Sequence, residues 1–342
     1  MAERAALMTA ARMAWFAGQY ALSVRRAGPV VPPGEAPFKP SVPLPNGQAL
    51  LKSIWDLAAL DRKCVAQGEL PPTDFDLPNL GALVQKTRAF LDDSAQVDAR
   101  RLSKQAADLP DAINRQAYPA YYLRNFHYQT DGYLSDHSAE LYDWQVETLF
   151  TGTARLMRRQ ALLPIRRHMA GRDQRGMALA DIAVGTGGFL VEAAAAWPRM
   201  RRIGVDLSLP YLQHAQTRIA QKTQFAQAQA EALPLADQSV DYATAVFLFH
   251  ELPDRARDQV IRELARITKP GGMIVIVDAL QTGDQPAFDG LLELFPRGFH
   301  EPFFDSWTRY DLKSAMSAFG FHLIEHRLAH LAKVAAFVRS GL

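Results

Sequence analysis

Residues 126–143, FHYQTDGYLSDHSAELYD, set two histidines, three aspartates, one glutamate and three tyrosines within eighteen positions. Such a set can ligate a metal, exchange protons, or close over a ligand held elsewhere. Metal ligation needs nitrogen and oxygen donors converging at about 2.0–2.2 Å, and the 127/131/137 spacing of His127, Asp131 and His137 matches no familiar ligand pattern, so no metal is expected. A second group, FHEL (249–252), offers His250 and Glu251 directly after an apolar run. A histidine titrating near neutrality suits proton removal from a phenol, amine or activated carbon. Its plainer alternative is packing, or capping a helix that begins near Asp254. A third group, LFPRGFHEPFFDSW (294–307), places Phe295, Phe299, Phe303, Phe304 and Trp307 around His300 and Glu301, either an aromatic acceptor wall or local core. His322, His326 and His330 recur every four residues in FHLIEHRLAH. On a strand, four residues span about 13 Å, too far to share an ion.

A glycine turn supplies the other chemistry. DIAVGTGGF (181–189) ends an apolar run with Gly185, Gly187 and Gly188, which let the backbone approach a ligand where a Cβ would clash. RRIGVD (201–206) then ends in Asp206, whose carboxylate at an adjacent strand tip can accept both hydroxyl protons of a ribose. A dinucleotide site usually needs a third glycine for close helix packing, and Leu190 stands there. S-adenosylmethionine carries no phosphate and needs no such contact.

These groups need elements to hold them. From residue 177 onward, apolar strand candidates (177–184, 201–206, 225–230, 240–249, 273–280) alternate with helical stretches, so right-handed βαβ units and a largely parallel sheet are expected. A helix near 309–318 and two closing strands follow. Upstream, residues 1–28 form an amphipathic helix, and 29–46 a strap, because seven prolines between 28 and 45 exclude helix and central strand. Residues 47–150 read as a mainly helical cap and lid, with Ser135 or Asp136 as an N-cap, and 151–342 as the catalytic domain. The length of 342 residues suits one large core with an added subdomain. A formal charge of +2 implies no polyanionic partner. The lone Cys64 excludes an internal disulfide and a thiolate zinc site, which favours a cytoplasmic location. No eighteen-residue apolar run exists. Residues 5–25 suit packing on the body or, alternatively, peripheral membrane contact. The seven arginines in 155–175 read as the solvated face of a helix rather than a nucleic-acid track. Nothing specifies an oligomeric state.

Taken in order, DIAVGTG, VDLS (205–208), AEALPLADQSVD (230–241) and ITKPGGMIVIVDA (267–279) resemble class I S-adenosylmethionine-dependent methyltransferases. They are most similar to the group containing the ubiquinone/menaquinone C-methyltransferases. The resemblance implies an α/β, Rossmann-like seven-stranded sheet, mostly parallel with a reversed last strand, plus the helical cap. It implies S-adenosyl-L-methionine as cofactor. Asp181 would organise the glycine loop and the methionine amino group. Ala183, Gly185, Thr186 and Gly187 would form the loop, Asp206 and Leu207 the ribose side, and Gln229, Ala230 and Glu231 the adenine border. Phe247 to Glu251 would face the sulfonium, with His250 or Glu251 as base or acceptor-orienting group. Ala183 replaces a frequent glycine, which alanine tolerates if φ is negative, and Gln229 replaces a frequent acid. SAELYD (138–143) resembles the tyrosine-bearing lid helix, making Tyr142 a lid contact. His127, Tyr128, Tyr133 and His137, with Phe299, His300 and Phe303, would line the acceptor side. The expected function is methyl transfer to a small apolar or aromatic acceptor. The alternatives are a non-catalytic binding or assembly protein, an NAD(P)-dependent oxidoreductase, and an RNA methyltransferase.

Overall fold

The structure is a computed structural model that describes residues 2–27, 34, 36–72, 80–219 and 222–341. Residues 28–33 and 35 of the proline-rich segment, and most of the 71–79 connection, lie outside the described residues.

The N-terminal part, up to residue 150, contains the helices α1 (Ala2–Arg26), α2 (Gly47–Ala66), α3 (Leu80–Ser103) and α4 (Asp136–Leu149). Asn46 caps α2 and Ser135 caps α4, each side chain accepting a backbone N–H of the first turn. Helix α1 rests on this group: Phe16 meets Trp144 edge-on at 5.1 Å, and Arg12 pairs with Glu147 at 2.9 Å. Leu7, Tyr20 and Val24 remain exposed on it. Among the described residues, no helix is long and apolar enough to cross a membrane.

The strands are β1 (Ala178–Ile182), β2 (Arg201–Asp206), β3 (Thr223–Gln227), β4 (Val240–Val246), β5 (Thr268–Ala279), β6 (Phe321–Ala329) and β7 (Ala332–Arg339). They form one seven-stranded sheet in the order β3-β2-β1-β4-β5-β7-β6, parallel except where β7 runs antiparallel to both neighbours. This is the expected Rossmann-like sheet with its reversed last strand. The pairing jumps from Val240–Thr268 to Tyr242–Met273, so the KPGG turn lies inside the β4–β5 edge.

Both faces of the central strands are buried, as a helix-covered parallel sheet requires. Leu179, Tyr242, Met273, Val275 and Val277 face one core, while Ala180, Ile182, Ala243, Ala245, Ile274 and Ile276 face the other. The first core is closed by α5 (Ala154–Arg159), α6 (Leu162–Met169) and α7 (Gly188–Ala196), with α8 (Leu209–Arg218) beside β2 and β3. The second is closed by α9 (Asp254–Ile267), whose Val260, Ile261 and Leu264 form its apolar stripe. Helices α10 (Asp289–Gly298), α11 (Phe304–Trp307) and α12 (Leu312–Ser317) complete the chain between β5 and β6.

The basic run 155–175 departs from the expected solvated helix. It forms two helices, and three of its arginines turn inward. Arg159 is fully buried, 3.2 Å from Asp61 on α2, and Arg155 pairs with Glu192 on α7. Burial raises the Asp61 carboxyl to about 6 against the opposing pull of Arg159. Arg166 and Arg167 at the α6 end, and Arg172 and Arg175 beyond it, face solvent. These pairs fasten the cap to the sheet, because a buried guanidinium needs a carboxylate partner. The described part of the strap crosses α10: Ser41 N donates to Glu293 at 2.6 Å, and a Cβ on Gly290 would meet the Val42 carbonyl at 2.4 Å. His326 on β6 and His330 in the turn after it share no site; His330 is buried and lies 2.7 Å from Ser53 on α2, while His326 is 3.5 Å from Asp284.

Candidate active site

Parallel strands end together, and the ends of β1, β2 and β4 open into one cavity, as expected for ligand sites in such sheets. Ile182, Ala183, Gly185, Val205, Asp206, Leu207, Ala228, Ala230 and Val246 to Leu248 line it from the sheet side, with Glu251 and Leu252 at one end. Tyr121, Tyr122, Phe126, Tyr133, Tyr142 and Tyr211 line it from above.

The glycine loop positions the first half. β1 stops at Ile182, and Val184 N donates to Val205 O at 3.0 Å, bending the chain toward β2. Gly185 has φ +55, and among the described residues nothing beyond its two chain neighbours lies within 4 Å of a Cβ placed there. Gly187 is needed for packing instead: at φ +82, its Cβ would meet Ile219 at 2.9 Å. Ala183 contradicts the condition set from sequence, because its φ is +58. A left-handed alanine costs roughly 1–2 kcal/mol, a strain of the sort concentrated at functional sites.

Asp206 ends β2 with its oxygens accepting from Gly185 N at 2.7 Å and Ser208 N at 2.8 Å. Burial raises its carboxyl, opposed by these backbone donors. Asp181 lies beneath the loop rather than on the cavity wall and accepts from Thr244 Oγ1 at 2.6 Å. Burial pushes it up to about 7. Thr186 also points away, donating to Asp143 at 3.0 Å. Gln229 and Glu231 lie behind Ala230, and Glu231 accepts from the Tyr121 hydroxyl at 2.6 Å.

The lid is fastened to this loop. Asp143, next to Tyr142 on α4, accepts from Thr186 and from Arg218 Nη1 at 2.6 Å, and Arg218 also donates to Thr186 O at 2.9 Å. Ser208 Oγ donates to Tyr133 O at 2.5 Å, and Gln129 Nε2 donates to the Tyr211 hydroxyl at 2.7 Å. Tyr142 meets Tyr133 and Tyr211 edge-on at 6.1 and 5.3 Å. Burial holds all three phenols well above their ordinary range.

At the far end, Phe247 leaves β4 at φ +57 and leads into a short 3₁₀ turn, Phe249–Glu251. Glu251 lines the cavity and accepts from the Tyr133 hydroxyl at 2.6 Å. Burial raises its carboxyl, against the pull of the neighbouring His250. His250 sits behind it, with Nδ1 2.6 Å from Asp278 Oδ1 and Nε2 3.9 Å from Glu251. Burial would lower this imidazole, but Asp278 outweighs it and the result is about 9.

His127 comes from a distant segment yet reaches the same place, its Nε2 3.8 Å from Glu251 and its Nδ1 2.9 Å from Glu301. Its φ is +54, and Tyr128 and Asp131 are also left-handed. The buried Asn125 holds this turn, donating to Asp108 O and Gln129 O at 2.8 Å each. His127, His250 and Glu301 bring ligating atoms within 4.8 Å of one another. This grouping differs from the 127/131/137 set weighed from spacing alone.

Several expected acceptor residues do not reach the cavity. His137 is half-exposed, 3.8 Å from Asp93. Tyr128 and His300 face each other at 5.7 Å, and Phe299 stacks on Phe295 at 4.8 Å beside His127. Phe303 packs on Tyr121 at 6.4 Å. These side chains back the wall rather than form it. Tyr121, Tyr122, Phe126 and Tyr211 were not singled out as cavity residues, although aromatic crowding in AYPAYYLRNFHYQTDGY was visible. Asp278, the carboxylate ending an apolar strand, carried a comparable signal.

A family profile for a methyltransferase domain matches residues 179–272. The ubiquinone/menaquinone biosynthesis C-methyltransferase UbiE of Syntrophotalea carbinolica is 31% identical over 167 residues, 48% of this chain and 67% of that protein. A demethylmenaquinone methyltransferase of Roseiflexus castenholzii is 38% identical over 99 residues, 29% of this chain and 41% of that protein. Among solved structures, an S-adenosylmethionine-dependent methyltransferase from Aquifex aeolicus aligns with TM-score 0.41 and 15% identity, over 54% of this chain and 92% of that one. A glycine loop with open space at Gly185, a carboxylate at the tip of β2 and an apolar cavity between them fit the cofactor of these enzymes. With its ordered sheet and its similarity across the strand ends, the chain belongs to the class I S-adenosylmethionine-dependent methyltransferases, in the group resembling the ubiquinone/menaquinone C-methyltransferases.

Proposed function

We propose that this enzyme methylates a small hydroxylated aromatic or quinol-type ring, with Glu251 as the proton acceptor. The observation that carries the reading is the single cavity running from Asp206 to Glu251 beneath tyrosines. The names of the curated relatives, which act in quinone biosynthesis, support this acceptor class.

Bound S-adenosylmethionine supplies an activated methyl group. Asp206 would accept from the ribose hydroxyls, Gly185 would admit the cofactor backbone closely, and Ala228 and Ala230 would border the adenine. Tyr142 and Tyr211 cover the site and exclude water. Glu251 would take the acceptor hydroxyl proton as a ring carbon gains the methyl group that the cofactor would supply, the sulfur keeping the bonding pair; the hydrogen on that ring carbon would then leave as a proton and the hydroxyl would be reprotonated. Holding acceptor and methyl in line contributes much of the acceleration. Tyr133 orients the carboxylate, and His250, fixed by Asp278, borders it from behind.

The test is incubation of the protein with S-adenosylmethionine and a panel of quinols, phenols and amines, read by mass spectrometry. Enzyme-dependent gain of one methyl on a quinol or phenol is expected. Methylation of amines alone, or of none of the panel while the cofactor binds, would overturn the acceptor assignment.

A further inference from the structure

We propose that His127, His250 and Glu301 bind a divalent first-row transition ion at the acceptor end of the cavity. The three residues come from a strained turn, the segment after β4 and the loop after α10, and one ligating atom of each lies within 4.8 Å of the other two. The 2.9 Å between His127 Nδ1 and Glu301 Oε1 is close to the ~3.0–3.4 Å separating neighbouring donors around an ion with bonds of ~2.0–2.1 Å.

An independent observation points to a missing ligand. The Glu301 side chain is fully buried; its Oε1 lies 2.9 Å from His127 Nδ1 outside hydrogen-bond geometry, and its Oε2 receives no hydrogen bond among the described residues. A buried carboxylate oxygen lacking a donor is costly, and native structures rarely leave one so. A cation between it and the imidazoles removes that cost.

The surrounding shell is built for the same purpose. Asp278 is fixed by Phe249 N and Ala279 N, each at 2.7 Å, and lies 2.6 Å from His250 Nδ1. With the ion in place of the Nε2 proton, a ring N–H donated to Asp278 would leave the Nε2 lone pair to the ion, the arrangement that orients metal-bound histidines. Asn125 bonds Gln129 O across the turn that carries His127 in its left-handed conformation, a strain of the sort found at functional sites. Two imidazoles and one carboxylate favour zinc, manganese, iron(II) or cobalt over magnesium or calcium, which prefer all-oxygen sites. Three protein ligands leave a position for an acceptor oxygen; that use of the ion rests on the acceptor reading above, whereas ion binding does not.

The experiment is calorimetric titration of the full chain with zinc and, separately, with S-adenosylhomocysteine, in wild type, Glu301→Gln and His127→Ala. One zinc per chain is expected, bound at least about tenfold more weakly in each variant, with S-adenosylhomocysteine affinity preserved. Zinc-edge X-ray absorption of the wild type, which needs no variant to fold, should show imidazole ligation. No zinc binding beside normal S-adenosylhomocysteine binding, equal affinity for magnesium, unchanged zinc affinity in both variants, or a shell without imidazole would each overturn the ion site. Zinc binding without S-adenosylhomocysteine binding would support the ion site and overturn the cofactor pocket.

Discussion

The two ends of the cavity are built differently. At the Asp206 end the carboxylate is satisfied by backbone N–H groups of its own and the neighbouring loop, Gly185 and Ser208. At the Glu251 end, side chains face side chains: His127, His250, Glu251 and Glu301 converge from three separate segments, and both Glu301 oxygens lack hydrogen bonds. Backbone donors make a fixed cradle for a constant ligand. Clustered titratable side chains make an adaptable region suited to proton movement or to an ion. On the proposed reading, binding belongs to the first end and chemistry to the second.

The sharpest way to break that division is Glu251→Gln, which keeps shape and removes the proposed proton acceptor. Turnover should fall roughly 10²–10⁴-fold, with S-adenosylhomocysteine affinity nearly unchanged by calorimetry. A matching loss of affinity would mean the two ends are not separable. Asp206→Ala should do the reverse, weakening S-adenosylhomocysteine binding by about a hundredfold through loss of charge-assisted hydrogen bonds. Asp143→Ala cuts the latch between lid and loop without touching the cavity wall. Cofactor affinity should drop about tenfold, seen in stopped-flow traces as faster release.

The smallest effect belongs to neither end and serves as a control. His330 is buried against α2, and burial lowers its imidazole to about 4 from the ordinary 6.5. The unfolded chain takes up that proton below about pH 6.5 and the folded one does not until about pH 4. Its stabilisation is therefore complete above pH 6.5 and lost as pH falls toward 4. Urea titrations at pH 7 and 5.5 should show about 1 kcal/mol more loss in wild type than in His330→Asn, with cofactor affinity at pH 7 the same in both.

The same contrast explains what could be read from the chain beforehand. The sheet and the cofactor end were legible because their signals are local: DIAVGTG and VDLS each put loop and partner within a few residues, and strand ends converge by topology. The acceptor end was legible only as residue types. His127 meets Glu301 across more than 170 residues, and no periodicity announces such a contact. Ala183 was misjudged because a bend toward β2 decides its φ, not the alanine itself. The inward arginines of α5 were misjudged because their carboxylate partners, Asp61 and Glu192, lie on other helices.

A crystal structure with S-adenosylhomocysteine would test the central claim most directly. The ribose hydroxyls are expected on Asp206, with the sulfur end pointing past Phe247 toward Glu251. A ligand bound elsewhere, or one whose sulfur points away from Glu251, would contradict the division of the cavity.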